Sequence, residues 1–181
     1  MSDPNPFHLA DRVPLAALND MEQGMFTSIL GGVFEHSPWV AERAWHARPF
    51  ATAEALHAAM VSAVSTSSRD ERLALLRAHP ELAGCEAGEG RLTHDSNAEQ
   101  GRLGFTALTR TELERMAQLN RAYASKFGFP AIVALARHQT REAVLAEIAG
   151  RIANDLEAEV ANGLAQVSHI TRARLARLLV E

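Results

Sequence analysis

The residues best suited to acid–base chemistry lie between His79 and Gln100. His79 directly precedes Pro80, and a proline ends a helix because it has no backbone N–H and restricts the residue before it. A run of leucines leads up to His79 with the spacing of a buried helix face. The sequence therefore predicts His79 at a helix end, where the imidazole can face a cleft and act as a general acid or base. The alternative is a histidine that only complements the helix dipole.

A second polar group follows in the segment Ser96-Asn97-Ala98-Glu99-Gln100. Its Ser-x-x-Glu spacing is that of a capping box, which starts a helix and needs no further function. The functional interpretation is that the carboxylate, the amide and the N–H groups of the helix start bind a small polar ligand. Glycines in the connecting loop allow the two helix ends to approach each other, so we expect the imidazole and the Glu99 carboxylate to lie close together.

The third segment of interest is Lys126-Phe127-Gly128-Phe129-Pro130. One interpretation is a helix stop with two packing aromatic rings and with Gly128 in the left-handed conformation after the last turn. The other is a pocket wall, in which backbone N–H and C=O groups after Pro130 face a ligand. The apolar run over residues 129–135 is too short to distinguish a buried extended segment from the first turns of a buried helix.

Helices are the elements that position these segments, because apolar residues recur at helical spacing along most of the chain. Good N-cap residues precede several of these stretches: Thr52, Thr140, and the capping boxes Ser68 with Glu71 and Thr109 with Glu112. No convincing strand alternation is present in the sequence. We therefore predict an all-α fold, a single-domain bundle of about eight or nine helices over residues 1–181, with residues 1–13 as a loosely ordered arm.

Composition excludes several classes of function. The 181 residues carry a formal net charge of −4 and a pI near 6.1, which argues against nucleic-acid binding. No apolar run is long enough to cross a bilayer, no secretory signal pattern is present, and the one cysteine, Cys85, fits a reducing compartment. We predict a cytoplasmic protein without membrane contact. Lys126 is the one lysine, so chemistry through a lysine Schiff base is disfavoured.

The three segments, taken in order, resemble one family. His-Pro-Glu-Leu-Ala-Gly from His79, Ser-x-x-Glu-Gln from Ser96 and Lys-Phe-Gly-Phe-Pro from Lys126 are similar to motifs of 2-oxo-4-hydroxy-4-carboxy-5-ureidoimidazoline (OHCU) decarboxylase. Residues 34–39 and 48–50 match the N-terminal part of that family, and residues 151–154 and 170–175 match its C-terminal helices. Each motif alone is weak, whereas the ordered set is specific.

The resemblance implies an all-α enzyme, usually a homodimer, that needs no cofactor and no metal and converts OHCU to (S)-allantoin and carbon dioxide during urate degradation. His79 and Glu99 are then the expected catalytic residues, with His79 managing the proton at the reacting carbon. The expected substrate-binding residues are Pro80, Ser96, Asn97, Ala98, Glu99, Gln100, Phe129, Pro130, Ala131, Ile132, Val133 and Arg174.

An anionic substrate favours an arginine partner, since a guanidinium can bind a carboxylate through two parallel hydrogen bonds. Arg174 is our prediction, with Arg151 and Arg137 as alternatives, and each of the three could equally form a structural ion pair. Two residues depart from the family pattern. Arg102 stands in a segment where the family usually has small residues. Ala131 stands where the family commonly has phenylalanine, and this change could alter the specificity of the pocket wall.

The sequence leaves three alternatives open. Eight histidines suggest a metal-dependent hydrolase, but none forms a His-x-x-His or His-Glu-x-x-His pattern. A non-catalytic all-α interaction module would need an exposed apolar helix face, for which Trp39 and Trp45 are candidates, although the core or a dimer interface suits them better. The third alternative is a paralogue of the decarboxylase that acts on a related ureide.

Overall fold

The computed structural model describes residues 12–84 and 89–180 of the chain. In this described part the chain folds into nine α-helices, one short 3₁₀ helix and two strands of two residues each. The prediction of an all-α fold with eight or nine helices is therefore confirmed. None of the helices in the described ranges is both long enough and apolar enough to span a membrane.

The helices follow one another along the chain with short connections. The first five are α1 (Leu15–Asp20), α2 (Gln23–Leu30), α3 (Trp39–Trp45), α4 (Ala53–Ser65) and α5 (Arg69–Arg77). The other four are α6 (His94–Arg102), α7 (Arg110–Phe127), α8 (Arg141–Arg151) and α9 (Leu156–Leu178), and the 3₁₀ helix covers Leu135–Arg137. The chain divides into two compact units, a first unit of Met1–Glu71 with Thr171–Glu181 and a second unit of Arg72–Ile170.

The first unit forms its core where α3 packs against both α2 and α4. The fully buried side chains contributed by these three helices include Phe26, Leu30, Val40, Leu56 and Met60. Burial of each such side chain contributes about 1.5–3 kcal/mol of transfer free energy, so this apolar cluster holds the unit together.

Two short strands lie at the ends of the first unit. Strand β1 (Val13–Pro14) pairs in parallel with β2 (Leu179–Val180), with Val13 opposite Leu179. Of the predicted N-terminal arm, residues 1–11 lie outside the described residues. Val13 at its end belongs instead to β1, because its side chain is buried and its backbone pairs with β2.

The second unit packs its core around α7. Its fully buried side chains from α5, α7 and α8 include Leu75, Leu76, Met116, Tyr123 and Ile148. The capping box predicted at the start of α7 is confirmed, because the Thr109 hydroxyl accepts from Glu112 N–H and the Glu112 carboxylate accepts from Thr109 N–H at 2.8 Å. Gly128 follows α7 with a φ of 77°, which confirms the predicted left-handed residue.

Of the four other predicted helix caps, three are confirmed and one is wrong. Thr52 caps α4 and Thr140 caps α8 through their hydroxyls, and Ser68 forms its reciprocal box with the glutamate three residues later. The box predicted at Ser96 is wrong. Thr93 caps α6 instead, because its hydroxyl accepts from Ser96 N–H at 3.3 Å and thereby places the serine inside the first turn.

The apolar run after Gly128 is neither a strand nor an α-helix. Residues 129–134 form irregular backbone and lead into the single 3₁₀ turn. Except for the half-buried Pro130, the side chains from Phe129 to Leu135 are buried. Irregular backbone in a protein interior needs partners for its N–H and C=O groups, and side chains of neighbouring helices in the second unit supply them.

Candidate active site

A cavity of about 420 Å³ opens in the second unit beside His79. Its described lining consists of Arg77, His79, Glu81, Gly84, Ala124, Gly128, Phe129 and Pro130. Cavities of this size hold small organic ligands. Two of the three segments that the sequence singled out therefore meet at one cavity.

The end of α5 orients the imidazole of His79. The helix stops at Arg77, shortly before Pro80, and His79 N–H donates to the Leu76 carbonyl at 3.3 Å. Nδ1 of His79 lies 2.9 Å from the carbonyl oxygen of Leu75, and the residue is 6% exposed. Because a carbonyl oxygen can only accept, Nδ1 carries a proton and Nε2 of the neutral ring carries the lone pair. The fold thus presents an oriented imidazole whose Nε2 can exchange a proton.

Two amide side chains hold the loop after the histidine. The Gln100 amide oxygen accepts from Ala83 N–H at 2.9 Å, and its amide nitrogen donates to the Glu81 carbonyl at 3.3 Å. Asn120 on α7 donates to the Leu82 carbonyl at 3.0 Å. Ala83 has a φ of 49°, so this tight loop depends on its hydrogen bonds to keep an uncommon backbone conformation. Gln100 therefore shapes the cavity through the loop.

The predicted binding segment on α6 shows mixed exposure. Ser96 and Gln100 are buried, Glu99 is half-buried, and Asn97 and Ala98 are exposed. These five residues are absent from the described lining of the cavity. Their catalytic and binding roles stay predictions, and the contacts of Gln100 give it a structural role in addition.

The cavity wall after Gly128 is held by side chains that bind its backbone. Phe129 and Pro130 line the cavity, and the next three residues, Ala131, Ile132 and Val133, are buried. Arg151 donates to the Ile132 carbonyl at 2.8 Å. The backbone N–H of residue 134 donates to the amide oxygen of Gln166 at 2.8 Å. The wall therefore keeps its irregular path because α8 and α9 supply the partners that a helix or a sheet would otherwise provide.

The arginine that binds the wall belongs to a buried polar network. Arg151 Nη2 lies 2.6 Å from Glu159 Oε1 and 3.2 Å from the Tyr123 hydroxyl, which itself donates to Glu159. Burial and the hydrogen bond to Glu159 raise the pKa of the Tyr123 hydroxyl. Burial alone would raise the pKa of Glu159, but hydrogen bonds from Arg151, Tyr123 and Asn154 hold it below its usual value. The carboxylate is thus charged and the phenol neutral at physiological pH.

The three arginines that the sequence offered for the substrate carboxylate are engaged with protein groups. Arg174, in the first unit, donates to Glu35 at 2.8 Å, and both side chains are buried. Arg151 occupies the network just described, and Nη1 of Arg137 lies 2.6 Å from Nε2 of His169. Their contact with a substrate, including that of Arg174, stays a prediction.

The two departures from the family pattern have different structural settings. Arg102 at the end of α6 donates to the Leu135 carbonyl and, at 3.0 Å, to the His138 carbonyl, so it holds the backbone beyond the wall. Ala131 is buried within the wall itself. The arginine therefore supports the fold around the cavity, and its guanidinium is occupied by two carbonyl groups.

Five lining residues were not among the predicted site residues: Arg77, Glu81, Gly84, Ala124 and Gly128. Three of them, Glu81, Gly84 and Gly128, lie within the motifs that the sequence singled out. Arg77 and Glu81 flank His79 by two residues on either side, so their nearness in sequence was an available signal. Ala124 carries no chemical signal, because a small apolar residue on a long helix is typical of ordinary packing.

Two of the alternative functions, a metal-dependent hydrolase and an interaction module, can be compared with the structure. Within residues 12–84 and 89–180, no three His, Cys, Asp or Glu side chains are grouped to hold a metal ion. Trp39 and Trp45 are half-buried, and arginine guanidiniums lie over both rings, Arg43 at 4.5 Å and Arg48 at 4.0 Å from the ring centroids. These rings are therefore partly covered within the first unit.

Comparison with known proteins agrees with the motifs around the cavity. Residues 19–176 match the family model for OHCU decarboxylase. The chain is 37% identical to the 2-oxo-4-hydroxy-4-carboxy-5-ureidoimidazoline decarboxylase of Haloferax volcanii, over 90% of this chain and 94% of that protein. It is 34% identical to the protein of the same name from Mus musculus, over 91% of this chain and 92% of that protein.

A solved structure shows the same fold. The crystal structure of (S)-allantoin synthase superposes with a TM-score of 0.73 at 34% identity, covering 92% of this chain and 54% of that one. The chain thus spans about half the length of that structure. Since the family model covers most of the chain and the relatives match along nearly their whole length, the chain belongs to the OHCU decarboxylase family.

Proposed function

We propose that this protein decarboxylates OHCU to (S)-allantoin and carbon dioxide, as a carboxy-lyase of urate degradation. The observation that carries the proposal is an oriented, buried His79 at a cavity of about 420 Å³ in a chain of this family. The relatives named above are OHCU decarboxylases, and a structural neighbour is an (S)-allantoin synthase.

The substrate itself defines what the protein has to supply. OHCU carries its carboxylate and a hydroxyl on one ring carbon, next to the ring C=N carbon that bears the ureido group. When the bond to the carboxylate breaks, its electron pair moves into the C=N system and leaves an enol. The ring nitrogen takes up one proton and the ureido-bearing carbon takes up another, while the enol hydroxyl gives up its proton and becomes the ring carbonyl. The carboxylate anion and one proton thus give allantoin and carbon dioxide, without an external electron acceptor.

His79 is the group that we assign to this proton transfer. Its Nδ1 is engaged with the Leu75 carbonyl, so Nε2 is the atom that takes and returns the proton. Because the ring is held by the end of α5, the proton is delivered to one face of the planar enol, which gives one enantiomer. Pro80 fixes the chain direction directly after the imidazole.

The remaining predicted residues complete the proposed site. We assign Glu99 to the substrate hydroxyl or ureido N–H groups, with Ser96, Asn97, Ala98 and Gln100 as further contacts of that segment. The wall residues Phe129, Pro130, Ala131, Ile132 and Val133 would exclude water and offer backbone hydrogen bonds. Arg174 stays a predicted substrate-binding residue. We further propose a cytoplasmic homodimer that works without a cofactor. The dimer and the absence of a cofactor rest on the family resemblance, and the location rests on the single cysteine, which fits a reducing compartment.

The proposed reaction is tested by following OHCU directly. OHCU is generated in place from urate with a urate oxidase and a hydroxyisourate hydrolase, and its loss is recorded together with release of carbon dioxide. We expect the purified protein to accelerate both signals in proportion to its concentration, with boiled protein as the control. Traces that coincide with the spontaneous decay would refute the decarboxylase assignment and direct attention to a related ureide or to a binding role.

A further inference from the structure

The cavity beside His79 contains a cation that neither the family motifs nor the proposed reaction has used. Arg77 is the one arginine or lysine among the described residues of its lining. We propose that the Arg77 guanidinium binds the carboxylate of the substrate at this cavity. This inference rests on the proposed function, since it concerns the charge that OHCU carries and that allantoin lacks.

The guanidinium of Arg77 is tethered by the residue that ends α7. Its Nε donates to the carbonyl oxygen of Gly128 at 3.0 Å, and both residues line the cavity. A side chain held through Nε keeps the N–H donors of its terminal amino groups for a ligand, in the planar fork that matches a carboxylate. The left-handed Gly128 thus positions a carboxylate-binding group as well as ending the helix.

The charge distribution of the cavity favours one orientation of the substrate. Glu81 lies on the lining with Arg77, and the two residues carry opposite charges. The carboxylate of an entering ligand is attracted by the guanidinium and repelled by Glu81, so it is expected on the Arg77 side of the cavity. The arginines at 174 and 151 are both buried and bound to glutamates, so Arg77 is the better placed partner for an entering anion.

Arg77 also has a purely structural interpretation. It stands in the last turn of α5, where a cation complements the helix dipole, and its bond to Gly128 joins two segments of the second unit. A structural Arg77 would affect every ligand of the cavity equally. A carboxylate-binding Arg77 distinguishes OHCU from allantoin, and the experiment uses this difference.

The expected kinetic signature follows from the chemistry of the leaving group. The ion pair stabilises the bound substrate, but the negative charge leaves the carboxylate as the bond breaks. Loss of the guanidinium should therefore raise KM for OHCU while kcat is maintained. We expect Arg77→Gln to raise KM by about tenfold or more, as for the loss of one charged hydrogen-bonded contact. The KM of Arg77→Lys should lie between those of wild type and Arg77→Gln.

The test compares two ligands in four proteins: wild type, Arg77→Gln, Arg77→Lys and Arg121→Gln. Arg121 is exposed on α7 and absent from the described cavity lining, so its variant matches the charge change. KM and kcat are measured for OHCU, and the inhibition constant is measured for (S)-allantoin, which has no carboxylate. We expect Arg77→Gln to raise KM for OHCU and to leave the inhibition constant of (S)-allantoin within about twofold.

Two results would overturn the proposal. An equal rise in both constants would make Arg77 a structural residue of the cavity, and unchanged constants would show that Arg77 does not bind the carboxylate. Wild-type protein that leaves OHCU decay unaltered would instead defeat the proposed function itself, and this outcome is seen before any variant is compared.

Discussion

The side chain of Gln100 illustrates how much of the site depends on single residues. Its amide satisfies one N–H and one carbonyl of the loop after His79, using both ends of the group. An amide is the neutral side chain that can donate and accept in this way. The family motif contains this glutamine next to a glutamate, and the structure gives it a reason that does not require contact with substrate.

We therefore predict that Gln100→Ala destabilises the protein by about 1–2 kcal/mol, because two part-buried backbone groups of the loop lose their partners. kcat/KM for OHCU should fall as well, since the loop lines the cavity. Urea unfolding and steady-state kinetics measure the two effects. Gln118→Ala, at an exposed position of α7, is the control and should change neither. A Gln100→Ala protein of wild-type stability would contradict the structural role.

The sequence identified candidate residues at helix ends, but it did not show which distant residues they contact. Histidine before proline marked the end of α5, and glycine followed by Phe-Pro marked the end of α7, because these residues act locally on the backbone. The contacts of Gln100 and the tether of Arg77 link residues separated by many positions. Such contacts depend on how helices pack, and their residue types have ordinary local explanations.

At the scale of elements, helix caps were the most predictable features. The boxes at Ser68 and Thr109 formed as expected because their hydrogen bonds close within one turn. The Ser96 box failed because Thr93, another good cap, stands three residues earlier. The wall over residues 129–134 could not be classified from its pattern, since side chains from α8 and α9 stabilise a path that no local preference specifies.

Gly128 allows a quantitative prediction at this scale. Its φ of 77° is unfavourable for other residues, whereas a Cβ there would lie 3.8 Å from its nearest neighbour, the Arg77 guanidinium, at ordinary contact distance. Gly128→Ala should thus cost about 1–2 kcal/mol from backbone strain alone. Gly150→Ala in α8, with nothing within 4 Å of the new Cβ, should stabilise by about 0.5–1 kcal/mol.

Chemical denaturation of both glycine variants and the wild type measures these differences. The opposite signs separate backbone conformation from the general effect of adding a methyl group. Equal free energies of unfolding for the two variants would show that the left-handed cap does not determine the stability of this helix end.

At the scale of the whole molecule, the all-α class followed from apolar residues at helical spacing, and the small β1–β2 sheet was missed because strands of two residues leave no alternation to detect. The division into two units could not be predicted from the sequence either, because its boundaries fall inside the continuous helices α5 and α9. Charge and cysteine content give only broad classes of protein, so dimerisation and cellular location stay proposals.

Stability against pH is the molecular property that the buried network predicts. The pKa of Glu159 is lower in the folded protein than its ordinary value of 4.5, so the unfolded chain binds more protons as the pH falls. The stabilisation is present above about pH 4.5 and is lost below it. The pKa of Tyr123 is raised above the ordinary tyrosine value of 10.0. The protein therefore also loses stability as the pH rises above 10.0, where the unfolded chain releases this proton first.

Unfolding free energies at a series of pH values test this prediction. Glu159→Gln should be less stable than wild type at neutral pH. It should also lose stability less steeply below pH 4.5, because a glutamine at position 159 has no proton to take up. Glu54→Gln, at an exposed position of α4, should keep the wild-type slope. Parallel slopes for wild type and Glu159→Gln would contradict the assignment of acid sensitivity to this network.

His79 is assigned the delivery of a proton to one face of the decarboxylated substrate, so the handedness of the product reports on its role. Circular dichroism of the allantoin formed from freshly generated OHCU is followed with wild type, His79→Gln, His46→Gln and no protein. His46 is exposed at the end of α3. Glutamine at position 79 retains an amide donor for the Leu75 carbonyl but cannot exchange a proton at neutral pH.

We predict rapid formation of optically active (S)-allantoin with wild type and His46→Gln. His79→Gln should be slower by about 100-fold or more and should give the optically inactive trace of the spontaneous reaction. A folded His79→Gln protein that still produces (S)-allantoin at the wild-type rate would contradict the account.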